Sequence, residues 1–348
     1  MGKSLKFNEN ELHYRGIIGT GGIGTGNFFV LNDNKTIGRE ESRSGHFLNV
    51  RDYCKQHIIL HYIKVLLGPL FRVVPVGRVG DDDAGTVLFK EMIETEFEMD
   101  LVERMPGVST LYSFCFYYPD GSGGNMTTDD SASSRVDPDY IERASGFIRE
   151  LGSEGIVVAA PEVPLAARKR ILEIGRQYGS FCAASFTSEE IKEAVEAGLM
   201  RNVDLLAVNV EEVTALTDRN DKTSDVSTII MNAAEILQRS NEKIILVVTA
   251  GDKGSWCLDG NVINFFPAIR AEAVSTAGAG DAFFAGIITG LALGLHIYDA
   301  QQLASLIAAL SVTSPDTIHK DINRLFLKEF LVSSNLRISE KVYRLLDE

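Results

Sequence analysis

The chain has 348 residues, 45% of them hydrophobic and 24% charged, a balance suited to one large globular domain. Its 34 basic against 48 acidic residues give a net charge of −14, which argues against nucleic acid or an anionic membrane as a partner. The start carries no apolar segment of a secretory type, and no apolar run is long enough to span a bilayer. The cysteines (Cys54, Cys115, Cys182, Cys257) form no CxxC and read as reduced thiols, so a cytoplasmic location is expected.

In chain order, strand-like runs come first, at 16–31, 71–76 and 108–118, separated by Gly, Asn and Asp turns. Strands of this kind, pairing antiparallel beside a larger sheet, would form a small lid built mainly from segments within 16–50 and 106–135. The aromatic run Tyr112, Phe114, Phe116, Tyr117 and Tyr118 alternates as a lid strand does, and could also face a second copy of the chain in a homodimer. The polar stretch 120–134 is long for a loop, and such loops often serve function. A helical run fills 51–68. Its His57 and His61 have the i,i+4 spacing of a metal site but lack an accompanying third ligand, so a satisfied or exposed helix face is expected.

From about residue 155 the texture changes. Nearly all-apolar strands (GIVVAAPE, SFCAASF, DLLAVN, KIILVVTAG) alternate with helices expected at 165–178, 189–197 and from 211, followed by a hairpin-like GSWCLDGNVINFF. Helices are expected at 280–293 and 299–312. Apolar strands alternating with helices imply an α/β fold: a doubly wound, mostly parallel sheet covered on both faces.

The chemistry concentrates at Ser275-Thr276-Ala277-Gly278-Ala279-Gly280-Asp281. Small residues let backbone N–H groups converge where a helix begins, and such a terminus attracts anions. Asp281 in the first turn is a carboxylate beside that anion site. Phosphoryl transfer needs both: donors for the transferring group and an acid to take the hydroxyl proton. A plain capping acid after a glycine turn is the alternative. The segment Gly19-Thr20-Gly21-Gly22-Ile23-Gly24, with Glu40 downstream, satisfies a dinucleotide-binding pattern, but the β-rich FFVL follows where that motif requires a helix. No GxxxxGK[ST] and no protein-kinase loop is present.

TAGAGD resembles the second signature of the ribokinase-like (PfkB) carbohydrate kinase family, and other segments resemble that family in its own order. Ser44-Gly45-His46-Phe47-Leu48-Asn49 is similar to its sugar-holding GGxxxN, and Gly77–Gly85 to its GxxGxDxxG. Asn209-Val210-Glu211-Glu212 matches its NxxE, and Thr249–Gly254 resembles its TxGxxG turn. The resemblance implies one kinase domain over 1–348 that uses ATP with Mg²⁺ to phosphorylate an alcohol group of a sugar. Asp281 would be the general base, with Ala277, Gly278, Ala279 and Gly280 as the anion hole. Thr249, Gly251 and Gly254 would meet ATP, Asn209 and Glu212 would act on the metal, and Ser44, Gly45, His46 and Asn49 would meet the sugar. A nucleoside kinase, or a catalytically silent sugar- or nucleotide-binding protein, are the alternatives. Three departures stand out. Gly24 (or Gly26) stands where the family has a sugar-gripping Asp, Ser275 replaces the Asp that supplies a charged ligand to a monovalent cation, and the segment between Asn49 and Gly77 is longer. The first leaves the substrate open, and the second makes the cation doubtful.

Overall fold

The computed structural model describes residues 4–217, 225–334 and 336–347. Its strands in chain order are β1 (Gly16–Thr20), β2 (Gly24–Leu31), β3 (Gly45–Phe47), β4 (Asp52–Tyr53), β5 (Arg72–Gly80), β6 (Val102–Met105) and β7 (Leu111–Tyr117). They continue with β8 (Gly123–Thr127), β9 (Gly155–Ala159), β10 (Phe181–Ala184), β11 (Leu205–Asn209), β12 (Ile245–Thr249), β13 (Gly254–Asp259) and β14 (Val262–Pro267).

A nine-stranded sheet runs β14-β13-β12-β11-β10-β9-β1-β5-β6. Every neighbouring pair from β12 to β6 is parallel, and the hairpin β13–β14 closes one end antiparallel. Residues alternate between the faces with the strand period. Ile17, Val73 and Ile156 belong to a core shared with the helices Lys55–Leu67, Ala279–Ala292 and Ile297–Ser311. Ile18, Val74 and Val157 belong to the opposite core, packed by the helix Leu165–Gln177. With both faces covered, the central strands carry apolar residues at nearly every position, which is why they read as continuous apolar runs.

A second sheet of five strands is built on β2, which pairs with β3, β4 and β7, while β8 pairs with β7. Its central pair, β2–β7, is parallel, contrary to the antiparallel pairing expected; β5 and β6 intervene between them in the chain, and that crossover returns β7 in the same direction. The remaining pairs are antiparallel. Two further details differ from the sequence reading. β1 belongs to the large sheet, and the polar stretch 120–134 contains strand β8.

His57 and His61 are buried on the helix Lys55–Leu67, against Tyr53, Phe97 and Tyr62, rather than on an exposed face. His57 Nδ1 has no partner, and no group of His, Cys, Asp or Glu among the described residues is arranged to hold a metal ion. No helix among the described residues is long and apolar enough to cross a membrane.

Candidate active site

A cavity of about 190 Å³ opens at the carboxyl edge of the parallel strands, the usual ligand position in open α/β sheets. Asn209 ends β11 and Thr249 ends β12, and both line it with Glu212, Gly278, Gly280 and Asp281. Lys55 and Ser185 add polar groups to its wall, and Phe186, Phe283 and Phe284 aromatic ones. A larger cavity of about 300 Å³ lies among Tyr14, Arg176, Asp204 and Lys243. Its lining includes Phe181 and Ile245, the first residues of β10 and β12, so it lies at the amino edge of the sheet, away from Asp281.

The helix Ala279–Ala292 starts from Gly278, whose φ of 78° is left-handed backbone that favours glycine. A Cβ at Gly278 would also lie 2.7 Å from the Thr317 carbonyl oxygen. Space above Gly280 is open, with nothing within 4 Å of a Cβ placed there. The Ala277 N–H donates to Ser275 Oγ at 3.4 Å and the Ala279 N–H to the Thr276 carbonyl at 3.3 Å. Of the four residues read as an anion hole, Gly278 and Gly280 are the two that line the cavity.

Asp281 sits in the first turn of that helix, its side chain 14% exposed, with Lys55 Nζ 3.6 Å from Oδ1. Burial raises the Asp281 pKa, and the ammonium of Lys55 works against that rise. Asp281 in turn raises the pKa of Lys55, which therefore stays protonated. Glu162, in the connection after β9, accepts the Lys55 backbone N–H at 3.3 Å, and burial pushes its carboxyl up to about 7. Asn209 and Glu212 close a reciprocal cap. The Asn209 N–H donates to Glu212 Oε2 at 2.7 Å, and the Glu212 N–H donates to Asn209 Oδ1 at 2.9 Å.

Two glycines of the false dinucleotide pattern, and Gly26 just beyond it, have a packing purpose. Gly22, Gly24 and Gly26 are spaced by two around the start of β2, so their missing side chains leave one face clear. Cβ atoms there would lie 2.4 Å from Glu162 Oε2, 2.8 Å from Cys54 Sγ and 2.5 Å from Asp52 Oδ2, respectively. Asp52 is thus packed against the residue where the sequence lacks an acid. It is buried, and burial pushes its carboxyl up to about 6.

The four residues read as the sugar-holding element lie in and beside β3. Gly45 and His46 lie in β3, where His46 pairs with Val30, and Ser44, His46 and Asn49 are exposed. None of the four lines the cavity. Gly251 and Gly254 flank the turn after β12, at φ 55° and 119°, and are outside its lining as well. The sequence did not single out Lys55 and Ser185, which line the cavity, or Glu162 and Asp52, which lie near Lys55 and Asp281. One signal was available for Lys55: a cation at the first residue of a helix opposes the helix dipole and calls for a reason.

Residues 59–323 match the model of the pfkB family carbohydrate kinases, and the chain belongs to that family. It is 25% identical to the "Ribokinase" of Lactococcus lactis over 239 residues, 68% of this chain and 72% of that protein. It is 25% identical to the "Deoxyribokinase" of Salmonella typhi over 246 residues, 71% of this chain and 77% of that protein. The fold matches that of Arabidopsis thaliana ribokinase, solved with ribose and ATP, with a TM-score of 0.70 at 19% identity over 93% of this chain and 100% of that one.

Proposed function

We propose that the chain transfers the γ-phosphoryl of ATP to a hydroxyl of a sugar, with Asp281 as the general base. The observation that carries this is Asp281, mostly buried in the first turn of a helix whose start, at Gly278 and Gly280, opens onto a cavity at the carboxyl edge of the sheet. Membership of a carbohydrate kinase family supports it, as do relatives named as ribokinase and deoxyribokinase.

The chemistry follows from the placement. The helix start directs N–H groups at the transferring phosphoryl, where they stabilise charge without reorganising. Asp281 accepts the hydroxyl proton as the oxygen attacks phosphorus. Gly280 bears no side chain, so the phosphoryl can approach the backbone closely. Ser185 Oγ, buried without a partner in the wall, is a donor available to a phosphate oxygen.

Magnesium fits this site only as an ion carried by the nucleotide. No cluster of carboxylates among the described residues would ligate a bare metal, and Glu212 already shares Oε2 with the Asn209 N–H. Asn209 and Glu212 would act on its waters, since Mg²⁺ commonly keeps several. When bound, the ion neutralises charge on the phosphates. Ser275 offers a neutral hydroxyl, so K⁺ should activate little. Asp52 and Glu162 are carboxyls near the site that could accept hydrogen bonds from hydroxyls of the acceptor, whether a free sugar or a nucleoside.

We read the chain as one kinase domain with the small sheet as its lid. Exposed Phe47 and Met126 on that sheet (each 58%) suit a second copy of the chain. The cysteines are all free, in keeping with a cytoplasmic enzyme.

A thermal-shift panel of pentoses, hexoses, deoxyribose and nucleosides, with ADP and Mg²⁺, identifies the acceptor by stabilisation. With it in hand, Asp281→Asn should lower kcat by about 10²-fold or more while ADP–Mg²⁺ affinity holds. Turnover near the unmutated value would remove Asp281 from the mechanism.

A further inference from the structure

Lys55 occupies a place that local rules do not explain. It is the first residue of the helix Lys55–Leu67, where the dipole disfavours a cation, and its N-cap Cys54 makes no capping hydrogen bond through its side chain. Its side chain extends into the cavity wall, 31% exposed, beside Asp281 and within the field of Glu162 and Glu212. A local rule broken at a site, without a compensating gain in the fold, points to function.

We propose that Lys55 is a catalytic residue of the phosphoryl transfer, its ammonium meeting the oxygens of the transferring group. This deepens the phosphotransfer reading and rests on it. The geometry leads there in steps. A general base must lie about 3 Å from the hydroxyl it deprotonates. That oxygen in turn approaches phosphorus to about 3–3.5 Å before reaction. An ammonium 3.6 Å from Asp281 Oδ1 therefore borders the path of the phosphoryl, on a flexible four-carbon stem that can follow it.

In the free protein the ammonium is held by Asp281, so the site is not left with an uncompensated buried carboxylate. As Asp281 takes the hydroxyl proton its negative charge is lost, and its hold on Lys55 weakens. Negative charge is then spread over the oxygens of the transferring group, and the ammonium turns to them. The attacking oxygen forms its bond to phosphorus as the bond to the leaving oxygen of ADP breaks. Lys55 donates hydrogen bonds throughout and gives up no proton.

The test compares affinity for ADP–Mg²⁺ with affinity for ADP–Mg²⁺–aluminium fluoride, a mimic of the transferring phosphoryl, by calorimetry. Lys55→Met should weaken the aluminium fluoride complex by about 10-fold or more, the scale of a charged contact made to the transferring group. It should change ADP affinity less than threefold, and Lys55→Arg should recover part of the loss. A purely structural role would move both affinities together. An unchanged ratio in Lys55→Met, with ADP still bound, overturns the proposal alone. If Lys55→Met fails to bind ADP, the same ratio is read in Lys55→Gln, and equality with the unmutated protein overturns it there. If the unmutated protein binds the aluminium fluoride complex no better than ADP, the phosphotransfer reading falls and this proposal falls with it.

Discussion

Gly280→Ala should raise stability and lower activity together. Gly280 is the second residue of the helix Ala279–Ala292, its φ lies outside the left-handed region, and no atom lies within 4 Å of a Cβ built there. Alanine is therefore accommodated without strain in the free protein. In a helix interior the exchange contributes up to about 1 kcal/mol, and roughly half of that is reasonable in the first turn. For a chain of this size the gain corresponds to a rise in Tm of about 0.5–1 °C. The new methyl group would project into the cavity that Gly280 lines with Asp281. If the phosphoryl passes over this backbone, the methyl displaces it by up to an ångström or so, and a displacement of about 1 Å costs roughly 10²-fold in rate. The assay is a thermal melt without ligand, paired with initial rates at saturating ATP–Mg²⁺ and acceptor. A Tm lowered by more than about 2 °C would show that the backbone at 280 is not free to carry a side chain. Turnover within twofold of the unmutated protein would show that the phosphoryl does not cross this space.

Gly24→Ala should do the reverse to stability. Its Cβ would meet the Leu111 carbonyl oxygen at 2.4 Å, in the parallel register of β2 and β7, so relief requires moving one strand; a cost of about 1–3 kcal/mol is expected, read as a lower urea midpoint. His61 tests the buried pair on the helix Lys55–Leu67. Burial lowers its pKa from 6.5 to about 4, so the unfolded chain binds the proton first, and the contribution present above pH 6.5 is lost as pH falls toward 4. Between pH 7 and pH 5 that amounts to about 2 kcal/mol, and urea melts of His61→Gln should lose correspondingly less over that interval. An equally steep loss in the variant would place the acid sensitivity in other groups, His57 first among them, since burial also lowers its pKa.

The strand–helix alternation after residue 155 was legible because burial on both faces makes each parallel strand apolar throughout, a pattern that survives in one dimension. The start of the helix at Gly278–Asp281 was legible for a similar reason: glycine and an acid at a helix terminus are local devices. What local patterns could not reveal is which distant residues meet. The motif at 209–212 and the one at 275–281 are far apart in the chain, yet Asn209, Glu212, Gly278 and Asp281 line one cavity, and Lys55, from the helix after β4, borders Asp281. Gly24 or Gly26 stood out in the sequence as the place of a missing acid, but that Cys54 and Asp52 pack against the bare face they leave is visible only in the fold. Period and capping are set by neighbours along the chain, so the sequence by itself determined the layered α/β architecture and the helix start bearing Asp281. The approach of Lys55 to Asp281 across 226 positions depends instead on how the helix Lys55–Leu67 packs against the helix Ala279–Ala292, and only the tertiary structure decided that.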